Sequence, residues 1–92
     1  METNGRMKEI RSRISPGMSI AALKEFLGPP MSVGREGGLP VPVTRSYTPP
    51  ALYSHMAIFY YSNKGIPYFN VYVLVDESSG LVIRSDVVNL WW

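Results

Sequence analysis

A chain of 92 residues with 46% apolar side chains is long enough to bury one core and too apolar to stay disordered, so it reads as one small globular domain. It holds no cysteine, which excludes disulfide staples and thiolate metal sites. The formal charge is +2, but Arg6, Lys8, Arg11 and Arg13 against Glu2 and Glu9 already account for it. The remainder is near neutral, which argues against a phosphate-binding nucleic-acid surface.

No apolar run approaches the roughly twenty residues a membrane-spanning helix needs, and Met1 to Arg11 has no apolar signal-peptide region. Residues 1–6 read as a flexible polar terminus, leaving 7–92 as the domain. Apolar residues then recur at Met7, Ile10 and Ile14, the spacing of one or two helical turns ended by Pro16 and Gly17. Arg11 and Arg13 would face solvent.

Ser15 to Pro30 is the most fully punctuated stretch. Ser19 is a helix N-cap, because its hydroxyl can accept from an amide that the first turn leaves unpaired. Met18 and Leu23 have the spacing of a hydrophobic staple, and Leu23, Phe26 and Leu27 share one helix face. Gly28 can take the left-handed conformation that ends a helix, and Pro29 and Pro30 cannot continue one. These are structural residues, and the helix they define needs a sheet to lie on.

Met31 to Pro50 is rich in Gly and Pro and reads as a long loop, with at most one short edge strand near Val41 to Tyr47. Its Gly-Arg-Glu-Gly-Gly run, Gly34 to Gly38, lacks the Gly-Lys-Ser/Thr ending of a phosphate loop. The last forty residues change period. Met56 to Ser62, Tyr68 to Asp76 and Leu81 to Asn89 are rich in Val, Ile, Tyr and Phe and are separated by turn residues, so they predict an antiparallel meander. In the middle strand Phe69, Val71, Val73 and Val75 face one way, and Tyr68, Asn70, Tyr72 and Leu74 the other. The first set is the natural floor for the helices. The expected fold is α+β: two short N-terminal helices on one face of a three- to four-stranded antiparallel meander.

The second face carries Tyr72 and Leu74 where a solvent face would carry Lys, Glu, Thr or Ser. Phe59, Tyr60 and Tyr61 lie nearby, and the chain ends in Trp91 and Trp92. Two uses compete: these rings cover a second small core beneath the 31–50 loop, or they form a protein-binding surface, as Tyr and Trp dominate interface hot spots. The candidate partner-binding residues are Tyr60, Tyr68, Tyr72, Leu74, Trp91 and Trp92. A second copy of the chain is a further candidate partner through its sheet.

The chemistry-bearing inventory is thin. Nucleophilic catalysis would need His55 with a serine such as Ser54 and one of Asp76, Glu77 or Asp86. No serine has the strained Gly-x-Ser-x-Gly setting, and no His or carboxylate pair has ligand spacing beyond the adjacent Asp76 and Glu77. That pair reads as the start of the turn to Gly80, and Asp86 reads as facing the same side as Arg84 and Val82. The expectation is no catalytic residue, no metal and no cofactor.

Pro-Gly-Met-Ser-Ile-Ala-Ala-Leu-Lys-Glu-Phe-Leu-Gly-Pro-Pro, Pro16 to Pro30, resembles the signature of the SmpA/OmlA (BamE-like) domain family, which shares the fold of the β-lactamase inhibitory protein. The matching positions are Gly17, Met18, Ser19, Leu27, Gly28 and Pro30. Ala22 and Leu23 stand where the family usually has Glu-Val, and Phe59-x-Tyr61 echoes its aromatic first strand. The resemblance implies a non-enzymatic interaction module at the cell envelope that offers its sheet face and loops to a protein, with an export signal upstream of this sequence. Without that signal the chain is expected in the cytoplasm. The alternative function is a small-ligand or sensory domain with a pocket between the 31–50 loop and the sheet.

Overall fold

The computed structural model describes residues 2–36, 47, 50–63 and 69–89. Two helices, α1 (Glu2–Arg13) and α2 (Ile20–Leu27), precede four strands, β1 (Ser32–Arg35), β2 (Met56–Asn63), β3 (Phe69–Asp76) and β4 (Leu81–Asn89). The strands pair antiparallel with their chain neighbours in the order β1-β2-β3-β4. The fold is α+β.

Helix α1 starts at Glu2, so part of the stretch expected to be flexible is its first turn. Its Met7 and Ile10, and Ile14 just past its end, are buried, as their spacing requires. They join Leu23 on the sheet face made by Ala57, Phe59, Tyr61, Phe69, Val71, Val73, Val75 and Val82. Leu23 is fully buried, whereas Phe26 and Leu27 are half-buried at the rim of this core.

Helix α2 is delimited as its sequence demands. Ser19 sits in extended backbone and its Oγ accepts from the Ala22 amide at 3.0 Å. Gly28, at φ 81° and ψ −171°, donates its amide to the Lys24 carbonyl at 2.7 Å. That backbone region is essentially closed to residues with a Cβ. A Cβ at Gly28 would meet nothing within 4 Å, so Gly28→Val isolates the backbone cost. It should lower the unfolding free energy by about 1 to 3 kcal/mol in urea denaturation, and an unchanged midpoint would show that the helix stop is dispensable.

The lead-in to α2 has a second task. Gly17, at φ 89°, donates to the Val82 carbonyl, Val82 donates back to Met18, and Ile20 donates to Gly80, each at 2.8 Å. Ser19 bridges Leu81. The start of α2 is therefore sewn to the start of β4, covering part of an edge that would otherwise present unpaired amides.

Two details of the sheet depart from sequence expectation. Ser32–Arg35, read as the start of the long loop, is strand β1, with Gly34 buried opposite Ile58 and Val33 opposite Phe59. Four residues with one β-branched side chain carry no period of their own, so pairing to β2 decides their state. The edge strand expected near Val41 to Tyr47 lies outside the described residues apart from Tyr47. In β4 the register shifts: Val82 pairs with Val75, but Arg84 pairs with Leu74. This bulge takes up Ile83 and separates Val82, buried on the helix side, from Arg84 and Asp86 on the opposite face, where strict alternation puts all three together.

Candidate functional site

The second face of the sheet, where sequence reasoning placed the partner-binding residues, is a second core. Tyr72 is 0% exposed, Leu74 6% and Tyr60 8%. With Ile58 and Val88 they pack beneath Tyr47, while Leu52 and Met56 are half-buried at the margin. The Tyr47 ring lies flat on Tyr72, centroids 3.8 Å apart and planes 4° apart, and Tyr60 tilts against the same ring at 5.5 Å. Such rings contribute beyond the area they bury. Tyr60, Tyr72 and Leu74 thus come together as predicted, but facing this chain's own residues. The correction has a simple cause: the segment between β1 and β2 brings an aromatic side chain of its own across the face. Tyr68, Trp91 and Trp92 lie outside the described residues.

Asn70, 2% exposed, is the polar centre of this second core. Its Oδ1 accepts from the Tyr60 hydroxyl and its Nδ2 donates to the Tyr72 hydroxyl, both at 3.1 Å. Alternation shows Asn70 on this face, but nothing in the sequence says that two phenols satisfy its amide. Burial, with the Asp86 carboxylate adding to it, pushes the Tyr47 phenol up to about 12. On the helix face burial does the same to Tyr61, also to about 12, and its hydroxyl donates to the Gly28 carbonyl at 2.9 Å.

Both phenols are thus held neutral in the folded chain above the ordinary value near 10. Their contribution to stability is fully present below about pH 10 and is lost as pH rises toward about 12. Tyrosinate absorbance should show a late-ionising group that appears together with unfolding. Titration of all tyrosines in one step near pH 10, with the fold intact, would contradict this.

The end of the sheet bearing His55, Asp76 and Glu77 is built as structure. The Asp76 Oδ1 accepts from the Ser78 amide at 2.9 Å, the Ser78 hydroxyl at 3.0 Å and the Ser79 amide at 3.3 Å, and Gly80 closes the turn at φ 74°. The Ser78 hydroxyl and these amides hold the Asp76 carboxyl below its ordinary range. Glu77 is likewise lowered, chiefly by Arg35, whose Nε and Nη2 grip its two oxygens at 2.9 and 2.8 Å. That fork ties β1 to the β3–β4 turn. His55 is exposed, has φ 77° and receives the Glu77 amide on its carbonyl at 2.6 Å. Among the described residues its ring makes no hydrogen bond, and no cluster of His, Asp and Glu could hold a metal ion. Asp86 pairs with Arg84 on its own strand at 3.6 Å.

Two concavities among the described residues are open. A hollow of about 340 Å³ between the end of α1 and α2 is lined by Arg13, Met18, Ala22, Glu25 and Phe26. A smaller one of about 130 Å³ lies where Arg6, Ile10 and Leu27 meet Tyr61 and Phe69. The Arg13 guanidinium carbon stands 4.1 Å from the Phe26 ring centroid and that of Arg6 5.5 Å from it, so the ring is flanked by two cations. The helical reading placed Phe26 on the core stripe and left this role unseen. Its signal in the sequence is faint: an aromatic at the margin of the stripe, following a helix whose last turn is basic.

Among the described residues no helix is long and apolar enough to cross a membrane. No family model matches the chain, and neither does any curated protein or solved structure.

Proposed function

We propose that the chain is a non-enzymatic protein-interaction module that recognises its partner with outer surface rather than with an enclosed pocket. The observation that carries this reading is the closure of both sheet faces by the chain itself, with helices on one side and Tyr47 stacked at 3.8 Å on Tyr72 on the other. Among the described residues this leaves open hollows and exposed apolar side chains, Tyr53 at 66%, Met31 at 58%, Leu81 at 41% and Ile83 at 38%. Isolated exposed apolar residues are ordinary, so they support the reading only together with the filled interior. The resemblance of Pro16 to Pro30 to the SmpA/OmlA signature agrees with it and supplies the cell-envelope setting as part of the proposal.

A photo-crosslinking amino acid placed at Tyr53, and separately at Ile83, tests the reading in cells making the full chain. The expected result is a discrete adduct with one protein, reproduced when the crosslinker is placed on that protein instead. Absence of any protein adduct, together with a small molecule that raises the thermal midpoint, would overturn it in favour of a ligand-binding domain.

A further inference from the structure

We infer that the chain pairs with a second copy of itself through the outer edge of β4, antiparallel and centred on Ser85, joining the two four-stranded sheets into one. The inference rests on the interaction-module reading and names a partner for one edge of the molecule.

The backbone argues for it first. β4 stands last in the sheet order. Val82 gives its amide to Met18 and takes the Gly17 amide on its carbonyl, each at 2.8 Å, so both groups point away from β3. Ser85 and Val87 pair with Val73 and Val71, which follow Val75, the partner of Val82, at steps of two. Antiparallel alternation therefore gives them the same outward direction. The Val87 carbonyl agrees, accepting from Arg11 Nη2 at 3.2 Å. Among the described residues the outward amide and carbonyl of Ser85 have no partner, and such groups are a template for another strand. The lead-in to α2 and Arg11 close the edge on either side, which confines the open ladder to residues 83–87.

The side chains then select the occupant. Ile83-Arg84-Ser85-Asp86-Val87 reads apolar, cation, hydroxyl, anion, apolar, and antiparallel pairing with itself complements it at every position. About a two-fold axis at Ser85, Arg84 lies opposite the second copy's Asp86 and Asp86 opposite its Arg84. Ile83 meets Val87, and the two Ser85 residues exchange both backbone bonds. Arg84 and Asp86 are 54% and 42% exposed in their side chains and touch through Nε at 3.6 Å, so the terminal guanidinium nitrogens are left for the second copy's carboxylate. The charges of this stretch sum to zero and draw neither an acidic nor a basic peptide; a second copy matches their order. A bulge and charged side chains on an edge also serve to turn strands away, and that use predicts a monomer at every concentration.

Sedimentation velocity on the full chain, from about 10 µM to 1 mM, tests it. The expected result is a monomer–dimer equilibrium, weak because so short a ladder buries little area. Arg84→Asp and Asp86→Arg each place like charges opposite one another and should each raise the dissociation constant by about tenfold or more. An equimolar mixture of the two variants should restore the dimer, which no folding defect would do. The chain has no cysteine, so Ser85→Cys under mild oxidation should give a disulfide-linked dimer, because residues facing each other across the axis lie within a disulfide's reach. Tyr53→Cys should give none. A monomer throughout the range, self-association indifferent to both charge variants, or no dimer from their mixture overturns the inference. If that happens while Tyr53 still crosslinks to a different protein, this edge alone is wrong and the interaction-module reading stands.

Discussion

Tyr72→Ala should lower the unfolding free energy by about 3 to 5 kcal/mol, the range for deleting a large buried aromatic. Tyr72 is completely buried at the centre of the second core, and its attachments include the stack with Tyr47, the tilted contact with Tyr60 and the hydrogen bond from Asn70. Truncation removes ring area from both phenols and leaves the Asn70 Nδ2 without that acceptor. Tyr72→Phe separates the two effects, keeping the stack and costing only about 1 to 3 kcal/mol for the unsatisfied amide. Denaturant melts of both variants decide. Had the face been a surface awaiting a partner, Tyr72→Ala would leave the midpoint nearly unmoved.

On the opposite face the corresponding position is Leu23. Leu23→Ala is expected to cost about 2 to 5 kcal/mol, because no water reaches the side chain and the helices and sheet meet around it. Leu27→Ala should cost less, since Leu27 is half-buried at the rim. The order of the two, read from urea midpoints, tests the packing scheme: equal costs would mean that α2 is rotated about its axis relative to the sheet.

The sequence spoke most clearly where a local rule acted alone. Ser19, Leu23 and Gly28 each follow from capping, stripe or φ requirements within a few residues, and the faces of β3 follow from alternation. The parts that stayed hidden depend on contacts between distant segments. β1 exists because β2 lies beside it, and the bulge at Ile83 exists because β4 must satisfy both β3 and the lead-in to α2. The candidate site divided the same way. That Tyr60, Tyr72 and Leu74 gather on one face was legible from period two. That Tyr47 covers them was not, since no spacing rule connects a residue between β1 and β2 to the centre of β3. The hollow beside Phe26 was equally out of reach, because it lies between the end of α1 and α2, whose sequences fix no relative placement.

The hydrogen bonds that join Gly17, Met18 and Ile20 to Gly80 and Val82 set an order of events during synthesis. Helix α2 leaves the ribosome before β4, the strand to which its lead-in is fastened. A helix of eight residues has little stability by itself, so α2 stays unanchored until β4 emerges. Closure of this clasp then joins two segments far apart in sequence, a long-range contact of the kind that slows folding.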